Sequence, residues 1–290
     1  MNLFLQKMNV VRDLKEFLNE QGFQEVLTPV LRKNPGTLIP RIQLINGQAL
    51  RDSHELQLRY LLSEYNSIYE IGSCFREESE ENTSTNSREF LLMELFTSKH
   101  SLLDLKELTK QFLLRQKPDT VFYEISIAEC IKNQFNIDLF HEDQEILIRK
   151  LKKIYPHENF LYDYEYVLHY IKKEIEPLSQ GKVVFLIDYP ECTCSYAKIK
   201  KGNIISRFEL FADGLELANG FDDECSPESF IARNECLPIF QNEEETIVKC
   251  LSSSLLPANP AGVGIGIERL CMFLFESDEI TDFAFPSKAF

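Results

Sequence analysis

The chain has 290 residues, a formal net charge of −15, 44% apolar and 11% aromatic side chains. That is apolar enough for one large core, and the acidic balance argues against a broad basic face for nucleic acid, favouring small-molecule chemistry or a protein partner. Eight cysteines without a C-x-x-C pair read as free thiols, and the absence of a signal peptide or a run of about 18 apolar residues predicts a cytoplasmic protein with no membrane partner.

Phe4, Met8, Val11, Leu14 and Leu18 form one helical stripe that Gly22 stops, and Phe23 to Pro29 reads as a strand. Asn34-Pro35-Gly36 and Asn46-Gly47 are turn signals. Helical spacing follows over 53–64, strands over 68–75 and 89–96, and a polar loop over 77–88. Residues 101–116 and most of 117–180 read as helical, the latter without a legible motif. Strands are predicted over 182–188, 192–198, 204–212 and 215–221, the last three joined by turns at Lys201-Gly202-Asn203 and Ala212-Asp213-Gly214. Helices at 228–235 and 243–253 precede a strand with glycine at every second position, Gly262-Val263-Gly264-Ile265-Gly266, and a helix opening with Arg269. The fold class is α+β, read as one domain over 1–290 with antiparallel strands and helices packed around them.

Three groups of residues carry the chemistry. Arg76 stands at a strand end before the polar loop, and Phe90 on the return strand could stack on a base; a solvated charge cluster is the other reading. Glu209 and Glu216 flank the turn of a hairpin, where facing carboxylates repel unless a cation lies between them; separate basic partners are the alternative. With a phosphate ligand that cation would be magnesium. The alternating glycines leave one strand face bare for a flat ligand, or mark tight packing, and Arg269 suits phosphate oxygens. Together they describe a nucleoside triphosphate site that is neither a P-loop nor a Rossmann crevice. The five histidines show no metal spacing, and His54 is the one that could face the site.

In this order the pieces resemble the three motifs of class II aminoacyl-tRNA synthetases. Gly22 to Pro29 resembles motif 1, whose helix and strand build a homodimer interface; Phe75-Arg76-Glu77-Glu78 with Glu89-Phe90 resembles motif 2; Gly262 to Arg269 resembles motif 3. The strings Arg207-Phe208-Glu209, Glu216-Leu217-Ala218-Asn219-Gly220-Phe221 and Ile280 to Phe285 are similar to the lysyl-tRNA synthetase catalytic domain, and most to the short paralogue that lysylates elongation factor P. The resemblance is weak between 100 and 180.

The resemblance implies ATP and Mg2+, with Arg76 on the α-phosphate and substrate carboxylate, and Arg269 on the γ-phosphate. Glu78 would contact adenine, Phe90 would stack on it, and Glu209 and Glu216 would bind the magnesium. Ser53, Glu55, Glu94, Phe96, Asn219, Asp223 and Gly264 would line the amino-acid pocket. The sequence departs from the pattern at Asp223 (glutamate in the family), Phe96 (tyrosine), Asn86 (histidine), Arg88 (proline) and Gly264 (alanine in the elongation-factor ligases). Asp223 is shorter by one methylene, about 1.5 Å of reach, which suits a differently placed amine or a bridging water. Motif 1 begins at the first helix, leaving no room before it for an anticodon-binding OB domain, so tRNA is not the expected acceptor. The implied activity is formation of an aminoacyl-adenylate from lysine or β-lysine and transfer to a lysine of elongation factor P. Loading of a carrier-protein thiol or small metabolite, and a non-catalytic paralogue, are the other readings.

Overall fold

The structure is a computed structural model that describes residues 2–33, 42–44, 47–77, 84–236, 244–252 and 259–284. In chain order its helices and strands are α1 (Leu3–Glu20), β1 (Gln24–Glu25), β2 (Leu31–Lys33), β3 (Gln48–Leu50), α2 (Glu55–Leu61), β4 (Ser67–Phe75), β5 (Glu89–Thr97) and α3 (Leu102–Gln116). There follow β6 (Phe122–Ser126), α4 (Ile127–Phe135), α5 (Gln144–Ile154), α6 (Tyr164–Tyr170), β7 (Val183–Ile187), β8 (Ile199–Lys201), β9 (Ile204–Ile205), β10 (Arg207–Ala212), β11 (Leu215–Asp222) and α7 (Pro227–Cys236). The chain closes with α8 (Glu244–Ser252), β12 (Ala261–Gly266) and α9 (Ile267–Phe275). Two compact units result, one from 1–120 with 240–290, the other from 121–239.

In the first unit the strands run in the order β1-β4-β5-β12. The two inner pairs are antiparallel as expected, while β1 lies parallel to β4. α1 ends where Gly22 takes φ +82°, a left-handed conformation that glycine adopts without steric cost. Its Val10, Val11, Leu14, Phe17 and Leu18 are buried, each worth about 1.5–3 kcal/mol relative to exposure. Phe17 meets Phe112 of α3 at 5.6 Å between ring centroids. The strand expected over 23–29 is ladder-paired only at Gln24–Glu25, because Thr28 N–H is satisfied by the Glu70 carboxylate at 2.9 Å and Pro29 has no N–H to give.

In the second unit the order is β11-β10-β7-β6, with β6 parallel to β7 and the other pairs antiparallel. Residues 117–180 are chiefly helical, as expected, but contain the edge strand β6. Ile127, Ile131, Phe135, Leu147, Ile148, Leu151, Val167 and Tyr170 build a core with Val184, Leu186 and Phe211 of the sheet. The strand expected over 192–198 does not form: Glu191–Thr193 is a 3-10 turn, Ala197 makes a single antiparallel bridge with Asp223, and strand pairing begins at Ile199. Pro190 starts that turn, with the Thr193 N–H and hydroxyl donating to its carbonyl at 3.0 and 2.7 Å. The turn at Gly202 is as expected; a Cβ there would lie 2.5 Å from the Phe140 carbonyl oxygen.

Candidate nucleotide and amino-acid site

The glycines of β12 share one face. Gly262, Gly264 and Gly266 stand opposite Phe96, Glu94 and Leu92 of β5, which stand opposite Ile68, Glu70 and Gly72 of β4. Directly opposed residues point to the same side of a sheet, so this face carries Phe90, Glu94 and Phe96 beside a strand without side chains. The three glycines are not equivalent. A Cβ at Gly262 would lie 2.6 Å from the Phe96 ring, whereas one at Gly264 would meet Glu94 Cγ at 3.4 Å, an ordinary contact. Gly262 therefore seats Phe96, and Gly264 leaves open floor beside Glu94. The tight-packing reading holds for the first glycine and the bare-face reading for the second.

Arg76 follows β4, and its N–H donates to the Arg88 carbonyl at 3.0 Å. Its guanidinium lies 5.1 Å from the Phe90 ring centroid. The Arg76 Nε is buried without a hydrogen-bond partner among the described residues. An unsatisfied buried donor is costly, and an anion such as a phosphate oxygen would satisfy it. Arg269 sits in the first turn of α9; its Nε donates to the Thr85 carbonyl at 3.3 Å and its Nη2 to Asn86 Oδ1 at 2.5 Å. Beside it, buried Glu268 accepts from Leu91 N–H at 2.9 Å and from Lys7 Nζ at 3.1 Å, fixing α9 to β5 and α1. Glu78 lies outside the described residues.

At the start of α2, the Ser53 carbonyl accepts from Arg32 at 2.8 Å and Glu55 pairs with Arg59 at 3.3 Å. Phe96 is buried with Leu58, Leu62 and Ile68, and the Arg59 guanidinium lies 5.9 Å from its ring. Glu94 is buried, and its Oε2 accepts from both the backbone N–H of His54 and, at 3.0 Å, His54 Nδ1.

In the second unit the carboxylates belong to the β10–β11 hairpin, but they do not face each other directly. The two-residue turn at Asp213-Gly214 pairs Ala212 with Leu215 and therefore Glu216 with Phe211, and the register shift between Leu210 and Phe211 leaves Leu217 as an extra residue and sets Glu209 opposite Asn219. Phe211 is two residues from Glu209 on β10, so Glu216, its partner, lies on the face that carries Glu209; the bulge brings Asn219 onto that face as well, where regular pairing would set Ala218 against Glu209. Glu209 is buried, accepts from the Tyr189 hydroxyl at 2.6 Å and pairs with Arg207. Arg207 also donates to Asn219 Oδ1 at 3.2 Å and lies 4.6 Å from the Tyr189 ring centroid. Burial pushes Glu209 up to about 7; Arg207 pulls against this, and the charge of Glu216 adds to it. Two carboxylates on one face, with hard oxygen donors and like charge, fit a divalent cation such as magnesium. Among the described residues there is no group of three or more His, Cys, Asp or Glu that could hold a metal by itself, so the remaining donors would come from water and a phosphate ligand. Asp223, just past β11, is buried in an extended bridge with Ala197.

Arg207, Tyr189, Arg51 and Glu70 carry these constellations without having been singled out as site residues. Arg207 could have been found, since strand alternation sets it on the same face as Glu209. Tyr189 donates to Glu209 at 2.6 Å and Arg51 to Glu70 at 2.6 Å, and Glu70 stands opposite Glu94 in the sheet; these contacts join distant residues and spacing along the chain does not encode them.

Among the described residues no helix is long and apolar enough to cross a membrane. The chain is 26% identical to a lysine–tRNA ligase of Mycoplasma genitalium, over 98% of this chain and 64% of that protein. It is 27% identical to one of Thermotoga maritima, over 96% of this chain and 61% of that protein. It thus spans less than two thirds of the length of these ligases. A protein of Aquifex aeolicus named elongation factor P–(R)-β-lysine ligase homolog is 29% identical over 94% of this chain and 96% of its own length. Residues 1–289 match the family described as tRNA synthetases class II (D, K and N), and the chain belongs to that family.

Proposed function

We propose that this protein activates an amino acid with ATP and transfers the acyl group to a lysine amine of a protein acceptor, elongation factor P being the acceptor that the Aquifex relative's name suggests. The observation that carries the reading is the glycine face of β12 beside Arg76, whose buried Nε lacks a hydrogen-bond partner among the described residues. In the first step a carboxylate oxygen attacks the α-phosphorus, the bond to the bridging oxygen breaks, and pyrophosphate leaves with the electron pair. No protein nucleophile is needed; alignment and charge neutralisation suffice. Arg76 holds the α-phosphate and the carboxylate, Phe90 stacks on adenine, and Arg269 holds the γ-phosphate. Glu209 and Glu216 hold magnesium, which when bound neutralises phosphate charge. Glu94 receives a substrate amine, while Ser53, Glu55, Asn219 and Asp223 shape the pocket. In the second step the acceptor amine attacks the acyl carbon, AMP leaves, and the amine loses a proton.

Phe96 has no hydroxyl to offer an amine, and its ring is committed to Gly262. This supports an amino acid whose distal amine is held by Asp223, directly or through water. We further propose that the protein acts as a homodimer through its motif 1 segment, and as a single catalytic domain. The test is amino-acid-dependent exchange of pyrophosphate into ATP over all amino acids and (R)-β-lysine, followed by mass analysis of elongation factor P, a tRNA and a carrier protein as acceptors. A mass gain of one acyl group on elongation factor P alone is expected; acylation of tRNA or of a carrier thiol instead would replace this acceptor.

A further inference from the structure

His54 is fully buried at the start of α2, between two buried carboxylates. Its Nδ1 is 3.0 Å from Glu94 Oε2 and its Nε2 is 3.6 Å from Glu70 Oε1. Glu70 is itself pinned, by Arg51 Nη1 at 2.6 Å and by Thr28 N–H at 2.9 Å, and Arg51 is held to the Ser73 carbonyl at 2.8 Å. Cys74 Sγ lies 3.8 Å from His54 Nε2, and burial followed by the charge of Glu94 pushes that thiol up, so it stays protonated. Glycine at 72 is part of the design: a Cβ there would lie 3.1 Å from His54 Nε2 and would collide with the Arg51 guanidinium.

The consequence falls on Glu94. Both hydrogen bonds that it accepts, from the His54 backbone and ring, go to Oε2. Its Oε1 accepts none among the described residues, and lies 3.7 Å from where a Cβ on Gly264 would stand. One oxygen is thus fixed twice by one residue, and the other is aimed over the open part of the glycine face. A carboxylate that can rotate presents either oxygen and loses rotamer entropy on binding an amine; one held in this way has that cost removed in advance.

We infer that His54 is a positioning residue for amino-acid selection: its ring locks Glu94 so that Oε1 alone receives an ammonium group of the substrate, with Glu70 and Arg51 holding the imidazole from behind. This rests on the reading of Glu94 as an amine-binding group in the proposed activation reaction. The ligand class is a primary ammonium on an amino acid, and ATP is not involved.

The test uses the intact protein with His54→Leu, His54→Asn and His54→Gln. The Asn amide nitrogen reaches the position of Nδ1 and restores the bond to Glu94; the longer Gln reaches toward Glu70 instead. His54→Leu should raise the KM for the best amino acid about tenfold or more while the KM for ATP stays within about twofold, the size of a lost charge-assisted hydrogen bond. His54→Asn should return the amino-acid KM to within about threefold of the parent, and His54→Gln should resemble His54→Leu. Calorimetric titration of the same amino acid without ATP should give the same order of affinities, and a circular dichroism spectrum like the parent's shows that each variant is folded. Equal shifts in both KM values, no shift, or His54→Asn no better than His54→Leu would overturn the role of His54 alone. A parent protein that neither exchanges pyrophosphate nor binds any amino acid would overturn the activation reading itself, and this inference with it.

Discussion

Arg269 and Asn86 are joined side chain to side chain at 2.5 Å, and the Thr85 carbonyl takes a second guanidinium donor at 3.3 Å. The arginine proposed for the γ-phosphate is thereby oriented by the segment that returns from motif 2. Planar donors lose least entropy when one edge is already fixed. Asn86→Ala should raise the KM for ATP about three- to tenfold with little change in the amino-acid KM. Arg269→Ala should lower exchange by about a hundredfold or more, as loss of a charge-stabilising group does. Initial-rate kinetics in both substrates check this, and an Asn86→Ala enzyme with unchanged ATP KM would contradict it.

Gly262 and Gly264 should respond oppositely to the same methyl group. Gly262→Ala drives a Cβ to 2.6 Å from the Phe96 ring, so it should destabilise by about 1–3 kcal/mol, and Phe96→Leu in the same chain should recover part of the loss. Gly264→Ala meets Glu94 Cγ at 3.4 Å and should fold with a midpoint close to the parent's. Its effect should appear instead in amino-acid affinity, because the methyl group fills the floor beside Glu94. Urea unfolding of the two single variants and the double variant measures the contrast.

Glu209 gives the protein a pH dependence of defined sign. Burial pushes it from 4.5 up to about 7, so the folded state binds this proton more tightly than the unfolded chain. Its contribution to stability is full below about 4.5 and is lost as pH rises through about 7. The loss amounts to about 3 kcal/mol at most. Glu209→Gln should flatten the fall in urea midpoint between pH 5 and pH 8, and millimolar magnesium should raise the parent's midpoint at pH 8 but not the variant's. The same slope in parent and variant would assign the dependence to other groups.

The Arg76–Phe90 pair predicts a split between chemistry and binding. Phe90→Ala removes the stacking surface and one side of the guanidinium's support, and should raise the KM for ATP about five- to fiftyfold. Arg76→Ala removes the group that meets the reacting phosphorus and should lower kcat far more than it raises KM. Both should unfold within a few degrees of the parent, since neither side chain belongs to the buried core.

What could be read from the chain follows a physical division. The β12–α9 junction was legible because glycine alternation and the switch of period are local. The β10–β11 hairpin was legible because Asp213 and Gly214 suit the positive φ values of 50° and 80° that its turn adopts. The bulge at Leu217 was not: it is a property of pairing, and it sets Asn219 opposite Glu209, while the two-residue turn, by pairing Glu216 with Phe211, makes the expected direct opposition of Glu209 and Glu216 a diagonal one. The segment Cys192-Thr193-Cys194 alternates like a strand, yet Pro190 and the Thr193 side chain close a turn there first. β6 was hidden among helices because only its pairing with β7 distinguishes Phe122–Ser126 from its surroundings. His54 stands in the sequence as a histidine without metal spacing, and its bond to Glu94 joins residues 40 apart and needs the fold.

The most direct measurement is pyrophosphate exchange with purified protein, ATP and magnesium, scanned over all amino acids and (R)-β-lysine. The account predicts exchange with at least one amino acid that carries a distal amine, and its loss in both Arg76→Ala and Arg269→Ala. Folded parent protein that binds ATP yet shows no exchange with any of them would contradict it.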